Sequence, residues 1–508
     1  MKSILPHQFF IYASNFSIKS MLKRISQLSF EVFNDYQNSE LGHFAKYKYF
    51  TTTIGNKSTK RKTLLVQTWL IDMMYEISCL KATGDKDISE NEALHLIALF
   101  NDYSDKRDLE HIKAGKNVFL NLYGFFGEQK RLQSIHLLDD EFSREKYILD
   151  VISAKKHDLN TYGINVSQEF KNETGYTTSE FSSMLYFIYA NLALVTPYFK
   201  RENLKTKSAE YSYIASHIMS VIDKYTCSLE EVCKSPFKRQ IFYSKPIIKI
   251  DDDYISVNPL LMFCLFVNSN YWVMRNMYKD KKNNSPHFIN AFGTYFEMYV
   301  EEILENCLKK SEYLRIPEEK EKRADWQLTL NGIDFLVEQK SGLSLLGIKQ
   351  SQPNIKMMKN HILKNWGEAV EQLHCTQKAK NLINPIKIIL VYEDYYKSEC
   401  LDELFELNHS LSNDKKYWLL TIREFEMLLA TYKKSPQLFE KIVVEKDSAE
   451  LNTSKQGREL IQFLNNNGVK DNDYLNMFGI ADQIEEIRNN TRKIIQRTMF
   501  FKTNDGSN

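Results

Sequence analysis

The stretch ADWQLTLNGIDFLVEQK, residues 324–340, decides how this chain is read. At its centre, Asn331-Gly332 is the strongest short hairpin signal, because a two-residue type I′ turn needs positive φ at both positions and these residue types tolerate it. The turn sets the register: Leu330 faces Ile333, Thr329 faces Asp334, Leu328 faces Phe335, Gln327 faces Leu336, Trp326 faces Val337, and Asp325 comes opposite Glu338. Directly opposed residues have Cβ atoms roughly 5 Å apart on one face, so these two carboxylates can share one cation. Lys340, two residues on, lies on that face too. Like charges opposed in this way destabilise a plain hairpin, so the arrangement makes most sense if a divalent metal neutralises them. Oxygen-only ligands point to Mg2+ or Mn2+ rather than zinc. Asp334 has the parity of Glu338 but sits about 13 Å away along the strand, too far to bind the same ion.

Asp325, then Glu338-Gln339-Lys340 at the end of an apolar strand, resembles the signature of the PD-(D/E)XK (restriction-endonuclease-like) nuclease superfamily. The flanking order is similar as well. Before the hairpin, FGTYFEMYVEEILENCL reads as a helix with Phe292, Phe296, Val300, Ile303 and Cys307 on its apolar side. After it come a second helix, NWGEAVEQLHCTQKAKN, and the apolar run PIKIILVYED, suited to a buried strand. The resemblance covers roughly residues 290–395. It implies an α/β fold, a mixed central sheet flanked by helices as in a restriction-endonuclease-like core, preceded here by a large, mostly α-helical N-terminal region. It also implies that Asp325 and Glu338, with the backbone carbonyl of Gln339, hold Mg2+ or Mn2+, and that Lys340 orients the nucleophile or stabilises the pentavalent phosphate. Glu297 resembles the acidic residue of the first core helix, and Gln372 the polar helix residue near the active site. Ala324 stands where the family often has proline, a position that carries no catalytic atom. Other Glu-x-Lys triplets at Glu128, Glu169 and Glu318 lack the strand, the opposed aspartate and the helix–strand frame.

At 508 residues and 43% hydrophobic content the chain can bury a multi-domain core. Gly (17) and Pro (10) fall below their usual shares of about 7% and 5%, which favours helices over a sandwich or barrel. Lys plus Arg (67) nearly cancel Asp plus Glu (65), so any phosphate contact has to come from a local patch. Lys309, Lys310, Arg315 and Arg323 are candidates for one, in a segment that otherwise reads as a solvated connection. The seven cysteines form no CxxC pair, which excludes a zinc ribbon or disulfide framework as an expectation and fits a reducing cytoplasm. The opening MKSILPHQFFIYASNFSIKS reads as mature sequence, and no run of about 18 apolar residues suggests a membrane span.

Along the chain, the periodicity predicts a mostly helical domain over 1–240, including a capping box at Ser89 and Glu92 and a buried helix from Thr178 or Ser179. A hairpin-and-helix connection follows over 241–287, with two β-rich runs, IFYSKPIIKI and YISVNP, around Asp251, Asp252 and Asp253 as turn formers. The nuclease-like core takes 288–400, and 401–508 is an α/β extension with a helical tail. The expected function is a metal-dependent phosphodiesterase, an endonuclease on DNA, with nucleic acid as partner. The extension is similar to those of bacterial restriction-like and defence nucleases, which implies a role against foreign DNA. One site cuts one strand, so duplex cleavage requires a homodimer, sequential nicking or a partner protein of a defence system. A nuclease-like fold that only docks nucleic acid or protein remains the alternative, since a fold does not guarantee its chemistry.

Overall fold

In this computed structural model the structure describes residues 7–35, 42–54, 57–81, 83–114, 138–155, 163–206, 212–236, 238–265, 267–282, 285–317, 323–343, 355–393, 399–411, 413–414, 416–451 and 459–500. The Glu128 and Glu318 triplets and the C-terminal KTNDGSN lie outside them. The chain is mixed α/β and forms two compact units: Met1–Leu138 with Ser179–Ser269 and Glu485–Asn508, and Asp139–Thr178 with Asn270–Ile484. Among the described residues no helix is long and apolar enough to cross a membrane.

The second unit is built on a five-stranded sheet. A long helix α1 (Ser285–Cys307) precedes β1 (Tyr313–Arg315), β2 (Trp326–Leu330) and β3 (Ile333–Lys340). Helix α2 (Glu368–Ala379) then leads to β4 (Ile386–Val391), and β5 (Tyr417–Thr421) runs directly into α3 (Ile422–Lys434). Strand order is β5-β4-β3-β2-β1, with β3, β4 and β5 parallel and the β1–β2 and β2–β3 pairs antiparallel. Asn331 (φ 50°) and Gly332 (φ 77°) make the two-residue turn, and the pairing runs from Ile333↔Leu330 to Val337↔Trp326, the register their sequence requires. Every residue of β4 and β5 is buried, as expected for parallel strands covered on both faces. Phe292, Phe296, Val300, Ile303 and Cys307 of α1 are buried as their spacing predicts, and Phe292 and Phe296 set their rings edge-on to Tyr392 beyond β4.

Two features of this unit depart from the linear division. The strand β5, assigned to a separate extension after residue 400, is part of the same sheet, because its apolar run YWLLT is satisfied only between β4 and the helices. The segment Asp139–Thr178, assigned to the N-terminal domain, belongs here too. Its helix Leu138–Tyr147 buries Arg144, whose Nε and Nη2 each donate at 2.6 Å to Glu426 of α3. Tyr299 Oη and Asn472 Nδ2 donate to the same carboxylate, at 2.6 and 2.5 Å. A buried charge persists only when paired and hydrogen-bonded in this way.

The first unit carries the helices Ile18–Asn34, Gln67–Ser78 and Glu90–Ala114, the last entered through the Ser89–Glu92 capping box, with reciprocal bonds of 2.9 and 3.3 Å. It is less purely helical than its composition suggests. Ala45–Ile54 and Lys57–Val66 pair as two antiparallel ten-residue strands, so the mostly helical reading of 1–240 is corrected here, and helix begins again at Gln67. A four-stranded sheet includes Ile247–Ile250 and Asp253–Ser256, but Ile241–Ser244, read as strand, is a helical turn. Asp251 (φ 52°) and Asp252 make the turn, while Asp253 is buried and paired with Lys19 and Lys23 at 2.7 and 2.9 Å. That aspartate is a fixed anion with two cations, not a solvated turn former.

Candidate active site

The last residues of β3 and the chain entering β2 meet at one end of the sheet. Asp325 immediately precedes β2, and its backbone is held from both sides: its N–H donates to Val337 O at 3.1 Å and its carbonyl accepts from Ile316 N–H at 2.9 Å. Its side chain replaces the strand that has ended, Oδ2 accepting the Gln339 N–H at 2.8 Å. Because N–H and C=O of one strand residue point the same way, the Gln339 carbonyl faces that same gap. On the other side of β3 the ladder to β4 continues, with Tyr392 N–H donating to Lys340 O at 3.1 Å.

Glu338 is 2% exposed. Its Oε1 accepts from Lys340 Nζ at 2.6 Å, the same-face i, i+2 contact of a strand. Its Oε2 is buried without a donor among the described residues, and the Glu338 carboxyl as a whole lies at hydrogen-bonding range of the Asp325 carboxyl. An ionised Asp325 disfavours a second charge on Glu338, and the protonated Glu338 carboxyl in turn can donate to Asp325. Burial, reinforced by Asp325, pushes the Glu338 carboxyl up to about 8, against the pull of Lys340. Burial likewise raises the Asp325 carboxyl, opposed by the Gln339 N–H, Lys340, the hydrogen bond from Glu338 and Arg315.

Helix α2 supplies the fourth side chain. Gln372 Oε1 accepts from Lys340 Nζ at 3.1 Å, while its Nε2 donates to Arg323 O at 3.2 Å. One turn on, buried Thr376 accepts the Ala324 N–H on Oγ1 at 2.8 Å and donates to Gln372 O, also at 2.8 Å. Thr376 therefore anchors the segment carrying Asp325 to the helix carrying Gln372. The sequence reading missed it, although its i+4 spacing from Gln372 places both on one helix face.

The structure thus brings Asp325, Glu338, Gln339, Lys340 and Gln372 together. Glu297 is placed differently. Helix α1 does pass close to the end of β3, where a Cβ on Gly293 would lie 3.4 Å from Ser341 Oγ. One turn on, however, Glu297 ion-pairs with Arg315, the cation that also lowers the Asp325 carboxyl. Among the described residues no three His, Cys, Asp or Glu side chains gather into a metal-holding group, so Glu297 does not join Asp325 and Glu338 as a third carboxylate. The guanidinium beside it neutralises it instead. Asp334 is engaged elsewhere, accepting from Thr329 Oγ1 at 2.7 Å. Trp326 and Trp366 are fully buried core residues.

Two facing carboxylates, one oxygen lacking a donor and an adjacent carbonyl form an all-oxygen donor set short of positive charge. It fits a hard divalent cation such as Mg2+ or Mn2+. No protein-family model matches the chain, and neither the characterised proteins nor the solved structures compared with it include a significant match.

Proposed function

We propose that this protein is a metal-dependent nuclease that hydrolyses phosphodiester bonds in nucleic acid, with DNA as the favoured substrate, and that its second unit is a PD-(D/E)XK, restriction-endonuclease-like core. One observation carries the reading: the buried, closely facing carboxylates of Asp325 and Glu338, with Glu338 Oε2 lacking a donor, beside the ammonium of Lys340. A purely structural site gains little from burying two carboxyls so close that one of them is held toward its protonated form. The order of elements supports it as well, a helix before a mixed sheet and the motif at the end of a central strand.

Asp325, Glu338 and the Gln339 carbonyl would hold Mg2+ or Mn2+. When bound, the cation supplies Lewis acidity at the phosphate and a more acidic water. The chain's own residues do the rest. The Gln339 N–H fixes the Asp325 carboxylate, and the ionised form of Glu338 is the one that binds. Lys340, held between Glu338 Oε1 and Gln372 Oε1, presents its remaining N–H to a phosphate oxygen or the attacking water, where it stabilises charge that develops in the transition state. Gln372 and Thr376 act through this positioning.

The test is incubation of the purified chain with supercoiled plasmid, linear duplex, single-stranded DNA and RNA in Mg2+, Mn2+ or EDTA, beside Lys340→Ala. Cutting that needs metal and is lost in the variant supports the reading and names the substrate. Undiminished cutting by Lys340→Ala sinks the site assignment, and silence on every substrate leaves a docking module.

A further inference from the structure

The paired strands Ala45–Ile54 and Lys57–Val66 belong to the first unit. Their ten pairs run without interruption from Ala45↔Val66 to Ile54↔Lys57, a ribbon about 33 Å long. An isolated two-stranded ribbon is marginal in water. This one is rooted: Phe50, Leu65 and Val66 are buried, and Asn91 of the helix Glu90–Ala114 bonds both the N–H and the carbonyl of Thr51 at 2.7 Å. In the second strand residues 57–62 are exposed throughout.

The ribbon holds Lys46, Lys48, Lys57, Lys60, Arg61 and Lys62 and no Asp or Glu, in a chain whose charges otherwise nearly cancel. The lysines at its root are neutralised, Lys46 by Asp35 and Lys48 by Glu31 and Glu90. Lys60, Arg61 and Lys62 pair with no carboxylate among the described residues. On the opposite face from Phe50, the register sets Tyr47, Tyr49 and Thr51 against Leu64, Lys62 and Lys60. Tyr47 and Tyr49 are 51% and 61% exposed, with Lys62 Nζ 4.8 Å and Lys60 Nζ 4.7 Å from their ring centroids. The two rings are about 6.7 Å apart along the strand.

We infer that this ribbon is a binding arm for single-stranded nucleic acid. Unneutralised cations match the phosphate backbone, and exposed aromatic faces match unstacked bases. Duplex bases are stacked and offer only their edges, which leaves two open rings without a use. Lys60 and Lys62, each already against a ring, place charge and stacking surface within reach of the same nucleotide.

The experiment is fluorescence anisotropy of the full chain, in EDTA so that no cutting intervenes, with labelled oligo(dT), oligo(U) and a duplex of equal length across a salt series. Single strands should bind more tightly than the duplex. Lys60→Ala with Lys62→Ala should reduce the log–log salt slope by about 1.4, at roughly 0.7 per phosphate contact. Tyr47→Ala and Tyr49→Ala should each weaken binding about fivefold or more, while Tyr49→Phe binds as the parent does. All these side chains are exposed, and unchanged melting confirms that the variants fold. Tighter duplex binding, no single-strand binding, or variants that bind like the parent each overturn the inference. Because the readout is independent of cleavage, its failure leaves the nuclease reading standing, and the reverse holds.

Discussion

The amide oxygen of Gln372 lies 3.1 Å from Lys340 Nζ, so an ammonium carried by a strand is steered by a helix. Lysine has a flexible four-carbon stem, and two acceptors narrow its freedom. Gln372→Leu should therefore slow single-turnover cutting by about tenfold with little change in melting, and Lys340→Ala by about a hundredfold or more. A Gln372→Leu protein cutting at the parent rate would remove the helix from the mechanism.

Facing carboxylates are a liability to the empty fold. Glu338→Gln relieves the repulsion and should raise the melting temperature in EDTA at pH 8 by roughly 2–4 °C, the equivalent of about 1 kcal/mol for a unit of a few hundred residues, while abolishing cutting. A lower melting temperature would assign Glu338 a structural role only.

Metal should stabilise the parent chain, by about 2.7 kcal/mol at a hundredfold excess over Kd, and Asp325→Asn should lose that shift. The effect depends on pH with a definite sign. Glu338, pushed up to about 8, binds a cation only after losing its proton. The melting shift caused by Mg2+ should be larger at pH 8.5 than at pH 6, and a flat profile would contradict the ligand assignment.

Glu145 gives a second pH effect. Its Oε1 accepts the Tyr271 N–H at 2.8 Å, but burial pushes the carboxyl up to about 8. The folded state holds a proton that the unfolded chain gives up near 4.5. This contribution to stability is full below that value and is lost as pH rises through about 8. Glu145→Gln should flatten the fall in melting temperature between pH 5 and pH 8.5, with its gain confined to the upper end. An unchanged slope in the variant would show that the group is ionised in the fold.

Removing one partner of the Arg144–Glu426 pair should cost about 3–5 kcal/mol, since the other charge is left buried. Arg144→Met, measured by urea unfolding, tests this, and a loss under 1 kcal/mol would mean the pair is solvated. By the same argument a chain beginning at Ser285 should fail to fold, although every motif residue lies within it.

Much of the site was legible because hairpin register is local: Asn331-Gly332 fixes which residues face each other, and parity does the rest. The role of Gln372 as a partner of Lys340 required helix α2 to cross back over the sheet, which spacing alone does not specify. The pairing of Glu297 with Arg315 was not legible either, because the cation comes from a strand and the carboxylate from the preceding helix. The ribbon Ala45–Val66 escaped notice since its exposed stretch lacks alternating apolar residues, and the β5 strand was separated from its sheet because parallel neighbours are far apart in sequence. Nothing local connects Arg144 to Glu426.

That last distance has a consequence for synthesis. Arg144 and Glu426 are 282 residues apart. At about 5–20 residues per second, the helix Leu138–Tyr147 leaves the ribosome on the order of 10–60 s before its counter-charge exists. During that interval its guanidinium must stay hydrated and its apolar side uncovered, a natural binding site for a chaperone. Chains released before residue 417 lack β5 and α3, and the sheet behind Glu338 is then unfinished.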